Sequence, residues 1–332
     1  MNKNQQGFSL LEIILSLSLG LVIFAGIMSV FIGMRTTSQV TNSLGVLQEN
    51  GRFALSVITE DLMRQNFWGD LALPLNSSNT IANGLPTMPA VTDCNGGGLN
   101  NSSFPQGLGH FRTLWGKTAK SKNPINCIDD ARVGSDILQI KRVLANPLAP
   151  LTDGSPDNPN NNSYWLNSNM GSGVIFPGTI ATPFVNNGQL WQYQHHVYYV
   201  RDETQGDITV PVLMQATLGN GSVNLMNFQP LIEGIEVIRF MYGVDTDSDR
   251  VVNAYISASE MTENYWNNTN ATILAVKIYI LARDLLPDKK YQNTKSYFMG
   301  DLQVVSNDNY RRLLFMSTVT LHNSGVEIWS GI

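Results

Sequence analysis

Gly7-Phe8-Ser9-Leu10-Leu11-Glu12, then IILSLSLGLVIFAGIMSVFIGM from Ile13 to Met34, is the stretch that decides how this chain is read. Those last 22 residues carry no charge, and the next charge along the chain is Arg35. At about 1.5 Å per residue a helix of that length spans about 33 Å, enough to cross the hydrocarbon core of a bilayer. A transmembrane helix is therefore the expected element. The competing reading is a secretory signal peptide with Lys3 in its n-region. Against it, the apolar run is too long for an ordinary h-region and no small-x-small cleavage site with a polar start comes after it. Glu12, near the start of the run, needs its own explanation. A carboxylate in lipid costs roughly 2–3 kcal/mol or more, which makes it a candidate functional residue; the alternative is a solvated carboxylate at the membrane interface.

Beyond Met34 the helical spacing continues but turns amphipathic. Val40, Leu44, Leu47, Gly51, Leu55, Ile58 and Leu62 recur at three- and four-residue intervals, with Gln48, Glu49, Arg52, Glu60 and Arg64 elsewhere around the helix. No Pro precedes Pro74, so the two halves can form one helix of roughly 60 residues, reaching about Trp68 and ended by Gly69 and Asp70. Gly20, Gly26 and Gly33 each cost about 1 kcal/mol against Ala and either permit close helix packing or mark local melting. The predicted segments are thus 8–34 in the membrane, 35–69 as an amphipathic continuation, and 70–332 as a β-rich remainder.

The remainder reads as β-rich. Ile137–Val143, Trp191–Val200, Ile208–Met214, Ile235–Tyr242, Ile273–Ala282 and Leu313–His322 alternate with period two, and Pro211 marks an edge or break. No helical crossover pattern separates these runs, which predicts a largely antiparallel sheet or two packed sheets and an α+β fold. Two stretches rich in turn formers, 70–135 and 153–173, read as variable loops, the first with one or two short strands. Loops of this kind either carry partner specificity or are solvated insertions.

Composition narrows the setting. Charged residues make up 14% of the 332, with a net charge of −5, and no basic run of five or more occurs, which argues against a general nucleic-acid surface. Cys94 and Cys127 are the two cysteines. In an oxidising compartment they read as a disulfide, worth roughly 3–4 kcal/mol in the chain-entropy model; the alternative is two unrelated buried thiols.

Asp245, Asp247 and Asp249, with Asn253 and the Val251 carbonyl, have the spacing of a loop that directs hard oxygens at Ca²⁺. Two positions depart from the EF-hand pattern: Arg250 stands where Gly permits the turn, and Ile256 where a bidentate Glu is expected. Such a site would need outside ligands, Glu260 or Glu263; the alternative is an acidic β-turn without a cation. No cofactor is otherwise required. The four histidines, His110, His195, His196 and His322, show no zinc spacing, and His195 and His196, adjacent in a strand, point to opposite faces. No nucleophile elbow, P-loop or Rossmann pattern occurs, so a membrane-anchored periplasmic enzyme is the remote alternative.

The segment Gly7–Glu12 resembles the processing site of type IV prepilins, in which a short polar leader ends in Gly. The resemblance implies that residues 1–7 are a leader, that a prepilin peptidase cleaves between Gly7 and Phe8, and that Phe8 becomes an N-methylated terminus. Glu12 is then the fifth residue of the mature chain, placed to pair with the terminal amine of a neighbouring subunit and to set axial register. Pro230–Arg250, Leu274–Arg283 and Tyr310–Ser324 resemble successive blocks of the PilW family of minor pilins, as does the helix Gln48–Met63. The resemblance to that family implies a non-enzymatic, assembly-priming subunit at the pilus tip, supporting pilus biogenesis, twitching motility, adhesion or DNA uptake. Its partners would be other minor pilins, the major pilin, the prepilin peptidase, the inner-membrane assembly machinery and, before assembly, membrane lipid. The expected location is the inner membrane with a periplasmic head, then the extracellular pilus. A pseudopilin of a type II secretion system, which shares the leader, the helix and a β-rich head, is the nearer alternative.

Overall fold

The computed structural model describes residues 8–72, 75, 80–82, 93–106, 109–148, 159–221, 225–269 and 271–324. The expected leader 1–7, with Gly7, lies outside these residues, as do parts of both expected variable loops. The chain divides into two compact units, Met1–Gln48 and Glu49–Ile332.

Helix α1 (Leu10–Met63) is continuous for 54 residues and is not interrupted at Gly20, Gly26 or Gly33. Every side chain from Leu10 to Met34 is exposed, and the apolar window has a mean hydropathy of 2.5. The hydroxyls of Ser16, Ser18, Thr36, Thr37 and Thr41 donate to carbonyls three or four residues back. Their polarity is thus satisfied within the helix, as an apolar surrounding requires.

The helix ends five residues earlier than the sequence pattern predicts. After Met63 the N–H groups of Arg64 and Gln65 bond back only three residues, to Asp61 and Leu62, and Asn66 adopts a left-handed φ of 57°. Tertiary packing explains the stop. Phe67 meets Trp191 edge-on at 5.8 Å, and Trp68 stacks on Tyr193 at the same distance, positions a continuing helix could not deliver together.

Fourteen strands come after the helix among the described residues. The first seven are β1 (Thr80–Ala82), β2 (Leu114–Thr118), β3 (Asp136–Val143), β4 (Tyr164–Ser168), β5 (Gly173–Pro177), β6 (Gln189–Gln205) and β7 (Ile208–Leu218). Then come β8 (Met226–Glu233), β9 (Ile235–Asp245), β10 (Ala254–Ser257), the single-turn helix α2 (Glu263–Trp266), β11 (Thr272–Arg283), β12 (Ser296–Met299), β13 (Leu302–Val305) and β14 (Arg312–Thr320). They form an eight-stranded sheet centred on β6, a four-stranded sheet in the order β10-β9-β11-β14, and the hairpin β12–β13. Every pairing is antiparallel except β1 with β5. The fold is the α+β class expected.

Two strand-level expectations are corrected. The stretch 153–173 reads as an exposed loop, but β4 lies within it, buried at all five positions between β5 and β6. Pro211 does not break β7: the strand runs through it, paired with Asp202 of β6. It marks instead the limit of the β8 ladder, where its carbonyl accepts from the Gly234 N–H at 2.7 Å.

Candidate functional site

At the amino-terminal end, Phe8 is 82% exposed and Glu12 lies in the first turn of α1. The Glu12 N–H donates to the Ser9 hydroxyl (3.3 Å) and to the Ser9 carbonyl (3.1 Å). Ser9 and Glu12 thus have the Ser-x-x-Glu spacing of a capped helix start, and a carboxylate there complements the positive end of the helix dipole. The local role of Ser9 was legible in that spacing but is not among the predicted site residues. No polar partner for the Glu12 carboxylate occurs among the described residues of this single chain.

The last turns of α1 hold the helix to the sheets of the larger unit. Ala54, Ile58 and Leu62 are fully buried. Gly51 faces Phe315 of β14 so closely that an added Cβ would enter the ring, and Asn50 donates to the Glu233 carbonyl at 3.0 Å. Among these apolar residues sits Asp61. It accepts from Arg142 Nε (2.5 Å) and from the Tyr198 hydroxyl (2.8 Å), and His196 Nδ1 lies 2.7 Å from the oxygen that Tyr198 bonds. Gln215 then donates to the Tyr198 hydroxyl, and Gln229 to Gln215, so the chain of bonds reaches β8. Burial pushes the Asp61 carboxyl up, but His196 and Arg142 outweigh it and hold the group well below the ordinary range. A signal for Asp61 existed: three residues after Ile58 and seven after Ala54, it falls on the buried stripe of the helix.

The opposite face of the large sheet is covered by the segment Asp93–Phe104. Cys94 and Cys127 form the expected disulfide, and neither cysteine is free. The Cys94 carbonyl accepts from Gln139, Asn101 Oδ1 accepts from Lys141 Nζ at 3.0 Å, and the Ser103 carbonyl accepts from the Tyr193 hydroxyl. The alternation of β3 is therefore real, but all eight of its residues are buried, because Gln139 and Lys141 face this loop while Arg142 bonds Asp61 and Asp136 bonds Arg239. His195 faces the loop and His196 faces α1, opposite sides as the sequence predicts.

Ser103, Asp93 and His195 lie together, yet not as a nucleophilic triad. The serine hydroxyl stands in the middle, donating to Asp93 Oδ1 (2.8 Å) and 2.9 Å from His195 Nδ1, so no carboxylate orients the histidine. All three side chains are buried, and burial together with the nearby Lys141 ammonium pushes His195 well below its usual value.

Asp245, Asp247 and Asp249 do gather, with one oxygen of each within 4.8 Å of the others. Backbone groups of the loop donate to two of the three. Asp245 accepts from the N–H groups of Asp247, Ser248 and Arg250, Asp249 from Val251, and Asn253 from Thr246. Of the outside ligands, Glu263 is paired with the buried Arg112. Ser248 and Arg250 both take left-handed φ values of 65°, the conformation a Gly would relieve. The three carboxylates thus stand on an acidic turn whose own backbone N–H groups donate to Asp245 and Asp249.

Two family patterns match the chain. The prokaryotic N-terminal methylation motif covers residues 2–28, and the family described as type IV pilus-assembly protein W, PilW, covers 197–323. The chain carries a PilW-type segment and, ahead of it, the methylation motif of pilin-like proteins. No curated protein and no solved structure matches it. The PilW match begins inside β6 and runs through β14, so it spans the four-stranded sheet and both later hairpin strands. The methylation motif spans Gly7, Phe8, Glu12 and most of the apolar run. The helix segment Gln48–Met63 and the disulfide-bonded loop lie between the two matched ranges, outside both.

Proposed function

We propose that this chain is a minor pilin, a structural subunit that helps to prime assembly of a type IV pilus and works without catalysis. One observation carries the reading: the methylation motif coincides with a continuous, fully exposed apolar helix face whose carboxylate, Glu12, stands in its first turn. In this reading a prepilin peptidase cleaves between Gly7 and Phe8. The apolar half of α1 holds the subunit in the inner membrane with the β-rich head in the periplasm, then enters the filament core. Glu12 pairs with the terminal amine of an adjacent subunit, where loss of water on both partners makes the pairing selective for register. Other minor pilins and the major pilin are the partners, and the tip is the position a low-abundance priming subunit would take. Motility, adhesion and DNA uptake are the pilus activities this would support.

The test is intact-mass and amino-terminal analysis of protein purified from membranes with and without the peptidase. The expected product is a chain of 325 residues (332 less the seven of the leader) beginning at N-methylated Phe8, seen only when the peptidase is present. An intact Met1, or cleavage far downstream, would overturn the reading. Glu12→Val is expected to be processed and anchored normally but to fail to enter filaments, measured by immunoblotting sheared pili against membranes.

A further inference from the structure

β14 is an outer strand of the four-stranded sheet. It pairs with β11 over nine consecutive residues, from Ala275 with Thr320 to Arg283 with Arg312, without a register shift. Alternate N–H and C=O groups along its other side therefore point out of the sheet. Among the described residues no strand pairs with that side. Such a row is a template for another strand, and proteins blunt it with short strands, charges, Pro or bulges. The other outer strands show these protections. β1 has 3 residues, β10 has 4, and β2 has 5 with Lys117 among them. β8 carries Pro230 and pairs across a register shift at Leu213 and Met214. β14 has none past its first residue, Arg312: Leu313–Thr320 reads LLFMSTVT, and Met316 is 73% exposed beside the exposed Thr318 and Thr320.

We infer that the open edge of β14 pairs antiparallel with β14 of a second copy of this chain, joining two four-stranded sheets into one. The sequence of the edge selects this occupant. Directly opposed residues share a face, so a two-fold axis normal to the sheet must place one residue against itself. Centred on Met316, the register sets Leu313 against Val319, Leu314 against Thr318, Phe315 against Ser317, and the two Met316 side chains together. These are apolar, aromatic and β-branched pairs with no opposed like charges. Arg312 would meet Thr320, and its guanidinium is already held by Glu236 at 2.5 Å and Asp308 at 2.7 Å. The interface is isologous and closed, so it ends at a dimer. It stands independently of the pilus reading.

The experiment uses the full chain in detergent micelles: detergent-corrected mass against concentration, with hydrogen exchange read on peptides covering 312–320. The expected result is a dimer whose β14 amides are protected in the dimer and exchange freely on dilution. Met316→Lys and Met316→Glu should each raise the dissociation constant by about tenfold or more, and an equimolar mixture of the two should restore association. An unchanged melting temperature shows that these exposed substitutions leave the fold intact. Three outcomes would overturn the inference: a mass indifferent to both variants, as when association runs through α1; no recovery on mixing; or a monomer, whether its β14 amides are open for a different strand or protected at every concentration.

Discussion

Asp61 receives hydrogen bonds from β3 and β6 and is only 3% exposed, so its removal is not the loss of one contact but leaves several buried donors unmatched. Asp61→Ala leaves Arg142 buried without its carboxylate, a change expected to destabilise the larger unit by about 3–5 kcal/mol, read from denaturant midpoints of the full chain in micelles. The pH dependence has a definite sign. Because the folded-state value is held far below the ordinary 3.8, the stabilisation is fully present above that value. It disappears as pH falls through the lower folded value. Asp61→Asn should therefore flatten the acid limb of the stability curve below about pH 4. An acid limb as steep as that of the parent chain would show that Asp61 is not the responsible group. The position of Asp61 on the apolar stripe was readable from spacing alone. Its partners were not, since Arg142, His196 and Tyr198 are brought to it only by the pairing of β3 with β6.

At the scale of elements, the apolar half of α1 was legible because 22 uncharged residues admit few other structures, and β3, β6, β9, β11 and β14 because alternation survives in each. β4 was hidden: Asn and Gly surround it, and five residues are too few for a period to show. The end of α1 was missed for a related reason, since Phe67 and Trp68 are taken into the core by aromatic partners that no local pattern reveals. Two predictions belong here. Replacing both Cys94 and Cys127 with Ser opens a loop of sequence separation 33. The expected cost is about 3–4 kcal/mol, with hydrogen exchange rising first in 93–104 and in the facing residues of β3; equal melting of parent and variant under reducing and oxidising conditions would refute it. Gly51→Leu forces a side chain into the Phe315 ring. It should cost roughly 1–3 kcal/mol despite the better helix propensity of Leu, and Phe315→Ala, by vacating the space, should recover part of that loss.

Across the whole molecule, the larger unit buries charge on both faces of its main sheet, and the two faces respond to protons through different groups. On the α1 side Asp61 is kept ionised. On the disulfide side Lys141, fully buried against Asn101, the Arg112 carbonyl and the Phe111 ring, is lowered from 10.5 to about 7, chiefly by burial. His195, beside it, is lowered well below 6.5 by burial and by Lys141. In both groups the unfolded chain holds its proton to higher pH than the folded one, so raising the pH favours the fold. For His195 that gain is complete above 6.5, and for Lys141 it accrues between about 7 and 10.5. The buried tyrosines reverse the trend, because Tyr193 and Tyr242 are held well above 10.0 and stability falls once the unfolded phenols ionise. The melting temperature of the full chain should thus climb from acid to mildly alkaline pH and turn over near 10.0, and with no free cysteine the disulfide cannot reshuffle on the way. Lys141→Met should remove the portion of the climb above about 7 and only lessen the portion below 6.5, which rests chiefly on the burial of His195 and which His195→Phe should remove. If Lys141→Met keeps the alkaline rise, the amine is not buried as described, and the loop Asp93–Phe104 does not seal that face of the sheet.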